Sequence, residues 1–232
     1  MTPAARPSRV RIAATGAQLE QSLSELQLKN ERLEAFASVV SHDLRNPLNV
    51  ASGSIEHYRE TKEEVNLDRI ERALERMEQI IDDVLTLAKA GDTVGQLTEV
   101  DLEMVCEQAW DNVETRDATL VVDVSGRIMA DQSRLQRALE NLFRNAIDHV
   151  GPTVTVTVGE LSGGFFVEDD GPGIDPDRRE SVFDVGDDQA DGFGLGLPIV
   201  GTIVKTHGWK IDITNADTGG ARFEIIGIDF VE

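Results

Sequence analysis

The first half of the chain carries apolar residues at the spacing of helices that pack side by side. Between residues 19 and 44 these positions recur in alternating steps of four and three, which is a heptad seam. This seam consists of Leu19, Leu23, Leu26, Asn30, Leu33, Ala37, Val40 and Leu44, with one polar asparagine. A second seam consists of Leu67, Ile70, Leu74, Met77, Ile81, Val84 and Ala88. Since the polar segment 57–66 can turn the chain between them, the pattern predicts a helical hairpin over residues 17–91.

A hairpin with two apolar stripes cannot cover both of them by itself. A homodimer that forms a four-helix bundle would bury them, and the length of the seams favours this solution. The alternative is a hairpin packed against the second half of its own chain. Residues 1–16 are small and basic and contain prolines, so we expect a flexible N-terminal tail there.

After a glycine-bearing linker at 90–96, the hydrophobic period changes. Helical spacing covers 101–114, then Asp131 to about Val150, and finally 195–208, with Asp101 and Asp131 as predicted N-caps. Alternating or apolar runs predict strands at 118–124, 127–131, 153–161, 162–169, 209–215 and 221–228. The second half, residues 92–232, is therefore predicted to be an α+β domain with one sheet and helices on one face.

Composition limits the class of protein. The apolar content is 40% and the aromatic content is 5%, which indicates a globular core of mainly aliphatic side chains. The single cysteine, Cys106, excludes an intramolecular disulfide. No apolar run approaches the roughly 20 residues that span a membrane, and no signal-peptide pattern opens the chain. We therefore expect a cytoplasmic location with no direct membrane span.

The formal net charge of −21 argues against nucleic acid and anionic lipid as partners. The acidity has a second interpretation, because five lysines stand against seventeen arginines and acids occur along the whole chain. Such a surface resembles that of proteins from salt-loving archaea. At molar salt the Debye length falls to about 3 Å, which removes most of the self-repulsion.

Three motifs in the second half suggest a site for a phosphate-bearing ligand. Asn141 and Asn145 are four residues apart on a predicted helix, so their amides share a face and can ligate a hard cation or donate to phosphate. In "VEDDGPGI", Asp169 ends a strand and can accept a hydrogen bond from an exocyclic amine such as that of adenine. Gly171 and Gly173 allow the tight turn that follows.

The third motif is "DGFGLGLPIV", in which Gly192, Gly194 and Gly196 precede a helix. Glycines let backbone N–H groups close on phosphates, and a helix N-terminus favours an anion. His149, at the end of the asparagine-bearing helix, can approach a phosphate, although a helix C-terminus also favours histidine for electrostatic reasons.

Taken in order, these motifs resemble the N, G1 and G2 boxes of the ATP-binding fold shared by sensor histidine kinases, gyrase and Hsp90. "VVSHDLRNPL" resembles the H box of the histidine kinases, and "SVFDVG" resembles their F box. The resemblance implies a phosphoacceptor hairpin that dimerises into a four-helix bundle. It also implies a catalytic α/β sandwich of the Hsp90, gyrase and histidine kinase type, with ATP and Mg²⁺ as cofactors.

The resemblance also implies roles for single residues. Asp169 would contact adenine, Asn145 would hold Mg²⁺, and Asn141 would lie near the phosphates. The lid would contain Gly192, Gly194, Leu195 and Gly196. The related ATPases carry a glutamate where this chain has Asn141, so we expect ATP to be held for an acceptor other than water. Glu140 would point elsewhere on the helix.

His42 is the expected acceptor. It occupies an outward f position of the heptad, and a neutral imidazole is a good nucleophile near pH 7. Asp43 can orient the ring and accept its proton. By resemblance, Asn46 would orient water for dephosphorylating a partner, and Pro47 would bend the helix below the site.

The expected reaction sequence is autophosphorylation of His42 and transfer to an aspartate of a response regulator, with input from an upstream sensor module. Two departures favour slower chemistry or a cation supplied by salt. Asp148 stands where many relatives have lysine, and the lid segment 184–191 contains no Lys or Arg. A phosphatase-biased regulator and an ATP-binding dimeric scaffold therefore remain as alternatives.

Overall fold

The computed structural model describes residues 9–88, 95–184 and 194–231. The predicted hairpin is present as helix α1, Arg9–Thr61, and helix α2, Val65–Ala88. One expectation about its ends was wrong, because helix α1 already begins at Arg9, inside the predicted tail. The turn lies at 62–64, within the predicted segment 57–66, where Lys62 adopts a φ of 60°.

Helix α1 continues past Pro47, whose ring is buried. The heptad seams are only partly covered within one chain. Several of their large apolar side chains are between 43% and 62% exposed, namely Leu23, Leu26, Leu33, Leu67, Leu74 and Ile81. The buried face of α2 instead includes Ala73 and Ile80, and α2 contacts the helix Gly196–Thr206 of the second half. The hairpin thus packs on its own chain with one face and leaves another face open.

The second half consists of three further helices, eight strands and two short 3₁₀ turns within the described residues. The helices are α3 Leu102–Asp111, α4 Gln132–Val150 and α5 Gly196–Thr206. The strands are β1 Thr98–Asp101, β2 Thr119–Asp123, β3 Arg127–Ala130, β4 Thr155–Leu161, β5 Gly164–Asp169, β6 Lys210–Asn215, β7 Ala221–Ile226 and β8 Phe230–Val231. The 3₁₀ turns are Pro176–Arg178 and Ser181–Phe183.

The prediction of a single sheet was wrong. The described strands form a five-stranded sheet in the order β2-β4-β5-β7-β6 and a three-stranded sheet in the order β1-β3-β8. In the larger sheet β2 runs parallel to β4, and the other neighbours are antiparallel. The smaller sheet escaped the sequence analysis because β1 and β8 are too short to show alternation.

The core lies between the helices and the larger sheet, where Phe143 of α4 and Phe165 of β5 are fully buried. The predicted N-caps are confirmed: the carboxylate of Asp101 accepts from the backbone N of Met104, and that of Asp131 from the backbone N of Arg134. These caps fix the start of α3 and of α4. Helix α4 therefore presents its asparagines at a defined position.

His207 closes the last turn of α5. Its Nδ1 donates to the carbonyl oxygen of Ile203 at 2.8 Å, and its Nε2 accepts from the backbone N of Asp131 at 3.1 Å. Trp209 stacks on the ring at a centroid distance of 4.3 Å. Burial lowers the pKa of His207, which agrees with a neutral ring held between a donor and an acceptor. Both side chains are structural.

Candidate active site

One cavity of about 510 Å³ lies between the hairpin and the second half of the chain. It is bordered by α1, α2, α4 and the residues that lead into α5. Eight of the predicted site residues line it, namely Asp43, Asn46, Asn141, Asn145, His149, Gly194, Leu195 and Gly196. The fold thus brings the H-box helix and the predicted phosphate-binding residues to the walls of one space.

His42 is not among the residues that line the cavity, but its neighbour Asp43 is. The side chain of His42 is 68% exposed, as the outward heptad position predicts, and its Nδ1 lies 3.3 Å from Oδ1 of Asp43. A carboxylate can only accept, so Nδ1 carries the proton in this hydrogen bond. This tautomer leaves the lone pair of Nε2 available to attack an electrophile.

Gly194 provides the contact between the lid segment and the H box. It adopts a φ of 52°, and a Cβ added there would lie 3.2 Å from Oδ2 of Asp43. A side chain at this position would therefore press on Asp43 in a backbone conformation that already favours glycine. Predicted lid residue Gly192 lies outside the described residues.

The two asparagines of α4 differ in their surroundings. Asn141 is buried, and its Nδ2 donates to the carbonyl oxygen of Arg137 at 2.9 Å, which directs Oδ1 towards Gly196. Asn145 is half-buried and, among the described residues, makes no hydrogen bond with its amide. Its oxygen is therefore available to a hard cation, which commonly takes one or two protein oxygens beside phosphate and water.

The N-terminus of α5 faces the same cavity. Leu195 is the N-cap, and its aliphatic side chain cannot accept a hydrogen bond from the first amides of the helix. Gly196 is the first helical residue, and a Cβ on it would lie 3.1 Å from Oδ1 of Asn141. Because Gly196 has no side chain, the N–H groups at the start of α5 stay accessible, and the helix dipole favours an anion there.

The predicted adenine residues lie beyond this cavity, since Asp169, Gly171 and Gly173 are not among its lining residues. Asp169 is buried at the end of β5, and its Oδ1 accepts from the backbone N of Gly171 at 2.9 Å and of Ala221 at 3.2 Å. Burial raises the pKa of Asp169, while these two hydrogen bonds lower it. A Cβ on Gly171 would overlap Val150, which places the turn against the end of α4.

A buried ion pair joins the two halves and was missed by the sequence analysis. Arg137 of α4 donates from Nη2 to Oδ1 of Asp83 at 2.7 Å, and from Nε to the same oxygen at 3.1 Å. Its Nη2 also lies 3.4 Å from the carbonyl oxygen of Gln79. Asp83 is only 6% exposed, and burial raises its pKa although Arg137 lowers it. Nothing in the helical pattern distinguishes Asp83 from the solvated acids around it.

Four arginines also line the cavity and were missed. Arg69, Arg72 and Arg76 come from one face of α2, and Arg144 comes from α4 between the two asparagine turns. The spacing of the first three, at i, i+3 and i+7, was visible in the sequence. Their direction was not, because it depends on how the two halves dock.

Comparison with known proteins gives two family matches. Residues 32–93 match the model of the His Kinase A phosphoacceptor domain. Residues 130–231 match the model of the histidine kinase-, DNA gyrase B- and HSP90-like ATPase. The boundaries of these matches fall on the hairpin and on the α/β half.

Individual relatives agree with both matches. The chain is 32% identical over 234 residues to the methanogenesis regulatory histidine kinase FilI of Methanothrix harundinacea, which covers 92% of this chain and 26% of that protein. It is 29% identical over 233 residues to the sensor histidine kinase CpxA of Escherichia coli K12, and this match covers 91% of this chain and 50% of that protein. The solved structure of full-length ShkA in complex with AMPPNP superposes with a TM-score of 0.55 at 26% identity, covering 85% of this chain and 46% of that one.

The chain spans half or less of the length of these curated relatives. Among its described residues, none of the helices combines the length and the apolar content that crossing a membrane requires. The two family matches, at residues 32–93 and 130–231, together take up most of the chain. The chain therefore consists of a His Kinase A phosphoacceptor domain followed by a histidine kinase-type ATPase domain, the two parts of a sensor histidine kinase transmitter region.

Proposed function

We propose that the chain autophosphorylates His42 with ATP and then passes the phosphoryl group to an aspartate of a response regulator. The observation that carries the proposal is the shared cavity, which Asp43 and Asn46 of the hairpin line together with Asn145 and Gly194 of the ATPase domain. A nucleotide held by the second half would face the helix that carries the acceptor.

The residues beside His42 suit nucleophilic attack. Nε2 would form the bond to the γ-phosphorus as the bond to the leaving ADP oxygen breaks. The Nδ1 proton would pass to Asp43, which already accepts it in a hydrogen bond. Asp43 thus acts as the general base, and the exposed ring remains accessible to a receiver domain afterwards.

The nucleotide would lie along the C-terminal half of α4, from Asn141 to the turn at Gly171 beside Val150. We assign the adenine to Asp169 with Gly171 and Gly173, and the phosphates to Asn141, His149 and the lid. The lid residues concerned are Gly192, Gly194, Leu195 and Gly196. Asn145, whose amide is free among the described residues, would hold Mg²⁺, which would neutralise phosphate charge.

The surroundings of Glu140 and Asn141 argue against rapid hydrolysis of ATP. The amide of Asn141 donates to Arg137 and is no base. Glu140 accepts from Nδ2 of Asn112 at 2.8 Å and from Nε2 of Gln136 at 3.1 Å, and it does not line the cavity. Neither residue can activate a water at the γ-phosphate, so the phosphoryl group is kept for His42.

A second activity is favoured by Asn46. Its side chain is exposed one turn past His42 and lines the cavity, where it could orient a water against a phosphorylated regulator. The chain would then act both as kinase and as phosphatase. A phosphatase-biased regulator, or a scaffold that binds ATP without transfer, is the alternative.

The assembly would be a homodimer in the cytoplasm that receives its signal from an upstream sensor module. The exposed apolar side chains of the hairpin support dimerisation, because a second copy would cover them in a four-helix bundle. The charge of −21 supports a working environment of molar salt, as in salt-loving archaea. A melting temperature that does not rise with added salt would contradict this last point.

The test is incubation of the purified protein with Mg²⁺ and ATP labelled at the γ-phosphate. We expect an acid-labile, base-stable label on the protein that His42→Gln abolishes. His57→Gln is the matched control, since His57 is also exposed on α1, and it should leave labelling unchanged. Inorganic phosphate without protein label would indicate a plain ATPase, and nucleotide binding with neither product would indicate a scaffold.

A further inference from the structure

The cavity contains positive charge that the lid lacks. The sequence of residues 184–191 has no Lys or Arg, and Asp148 lines the cavity at a position where lysine would supply a cation. Phosphoryl transfer nevertheless builds up negative charge that must be neutralised. The arginines that line the cavity come mainly from the other domain.

Three of these arginines form one row on α2. Arg69, Arg72 and Arg76 are exposed and lie on the cavity side of the helix, next to buried Ala73. Among the described residues, none of the three makes an ion pair with a carboxylate. Arg76 has one long contact, from Nη1 to Oε1 of Gln79 at 3.5 Å. The charges are thus available to an anion.

Arg144 brings a fourth charge to the row from α4. Burial lowers the pKa of Arg144, and the nearby Arg76 lowers it further, although the carboxylates of Asp83, Glu140 and Asp148 raise it. Two guanidinium groups held close together repel each other, and an anion between them would relieve the repulsion. Planar guanidinium groups also match phosphate oxygens in a bidentate fashion.

We propose that Arg69, Arg72 and Arg76 of the hairpin, with Arg144, bind the γ-phosphate of ATP during transfer to His42. The phosphoacceptor domain then supplies the cations that the ATPase lid lacks. These cations reach the nucleotide only when the two domains are docked. The inference rests on the proposed function and deepens it, because it makes recognition of the third phosphate a task of the hairpin.

The acids around the cavity provide a rival explanation. Asp83 is paired with Arg137 and Asp43 with His42, but Glu114 and Asp148 have no ion pair among the described residues. A side groove of about 390 Å³ is lined by these two acids together with Arg72 and Arg76. The arginines could therefore attract the acids across the domain boundary and hold the domains together without touching ATP.

The affinity for ATP compared with that for ADP separates the two explanations. If the arginines bind the γ-phosphate, the double variant Arg72→Gln/Arg76→Gln of the full chain should bind ATP about tenfold more weakly, as the loss of charged hydrogen bonds implies. Its affinity for ADP should fall by less than about twofold. Glu114→Gln should raise the affinity for ATP, because it removes a negative charge from the cavity wall. Calorimetry with Mg²⁺ and each nucleotide measures all of these values.

The labelling rate gives the second readout. At saturating ATP, Arg72→Gln/Arg76→Gln should slow labelling of His42 by about tenfold to a hundredfold, the range expected when charge stabilisation is removed. Lysine at both positions should restore part of the rate. Arg59→Gln, which removes an exposed charge elsewhere on the hairpin, is the control and should leave both affinities and the rate unchanged.

Equal losses of affinity for ATP and ADP in the double variant would overturn the inference, as would an unchanged ATP affinity and labelling rate. A lower ATP affinity of Glu114→Gln would support the attraction between the domains instead. Failure of the proposed function is distinguishable, since it would appear in the unchanged protein as an absence of label. If the unchanged protein binds ATP without labelling, the ATP and ADP affinities of the double variant still decide; if it binds no ATP, both proposals fail.

Discussion

The pair Asp83–Arg137 predicts an asymmetry between its two partners. Arg137→Ala would leave Asp83, which is only 6% exposed, as an unpaired buried carboxylate. Removing one partner of a buried pair costs about 3–5 kcal/mol. The guanidinium is 25% exposed, so solvent already screens part of the interaction, and we expect about 2–3 kcal/mol of lost docking free energy.

Asp83→Asn should cost less, about 1 kcal/mol, because the amide oxygen still accepts from Arg137 and the partly exposed guanidinium can be hydrated. The expected loss for Arg137→Ala shifts the docking equilibrium by roughly 30-fold to 150-fold, against about fivefold for Asp83→Asn. Spin labels on cysteines introduced at exposed Glu56 and Glu160 would report the docked fraction as a distance distribution. Equal effects, or a larger effect of Asp83→Asn, would refute the reasoning.

The same pair predicts the sign of a pH dependence. Burial raises the pKa of Asp83 above its ordinary value of 3.8, so the docked state takes up a proton at a higher pH than the undocked state. This contribution to docking is complete below pH 3.8 and is lost as the pH rises through the docked value. Arg137→Ala removes a cause that lowers this pKa, so its docked fraction should recover as the pH falls. Asp83→Asn, which cannot titrate, should show no such recovery.

The remaining predictions concern two glycines, the cysteine and transfer within the dimer. Gly220→Ala should abolish nucleotide binding and lower the melting temperature, because the added Cβ would overlap the carbonyl oxygen of Asp169. Gly53→Ala should instead stabilise α1 by about 0.5–1 kcal/mol in urea unfolding, because a Cβ added there meets no atom within 4 Å. Cys106 should resist thiol reagents until the protein unfolds, because burial raises its pKa to about 12. Mixed dimers of His42→Gln and Asn145→Ala chains should label no faster than either parent, since one chain lines the whole cavity; restored labelling would indicate transfer between chains.

The sequence predicted those parts of the fold that depend on local patterns. Heptad spacing identified both hairpin helices, and Asp101 and Asp131 marked the starts of α3 and α4, because a cap acts within three residues. The six predicted strands are present as β2 to β7, whereas β1 and β8 were missed. Strands of four and two residues carry too little alternation to be detected, and their pairing with β3 joins distant parts of the chain.

The candidate site was predictable only where a residue type reveals its own chemistry. Asparagines four apart and glycines before a helix, in the order of the ATP-binding boxes, made Asn141, Asn145 and Gly196 candidates from the sequence, and all three line the cavity. An arginine on an acidic, solvated helix has many other uses. Arg76 became a candidate only when docking set it beside Arg144, and Asp83 only when Arg137 covered it.

This difference has a consequence for how the kinase would be controlled. The residues found from the sequence mostly lie within one domain or the other, and each group can form without the other domain. The residues found from the structure are the arginine row, which lines the cavity between the domains, and the pair Asp83–Arg137, which joins them. A signal that shifts α2 by a fraction of a helical turn would therefore change the docking contact and the charge at the γ-phosphate together. Control of transfer would then need no change in the nucleotide-binding residues themselves.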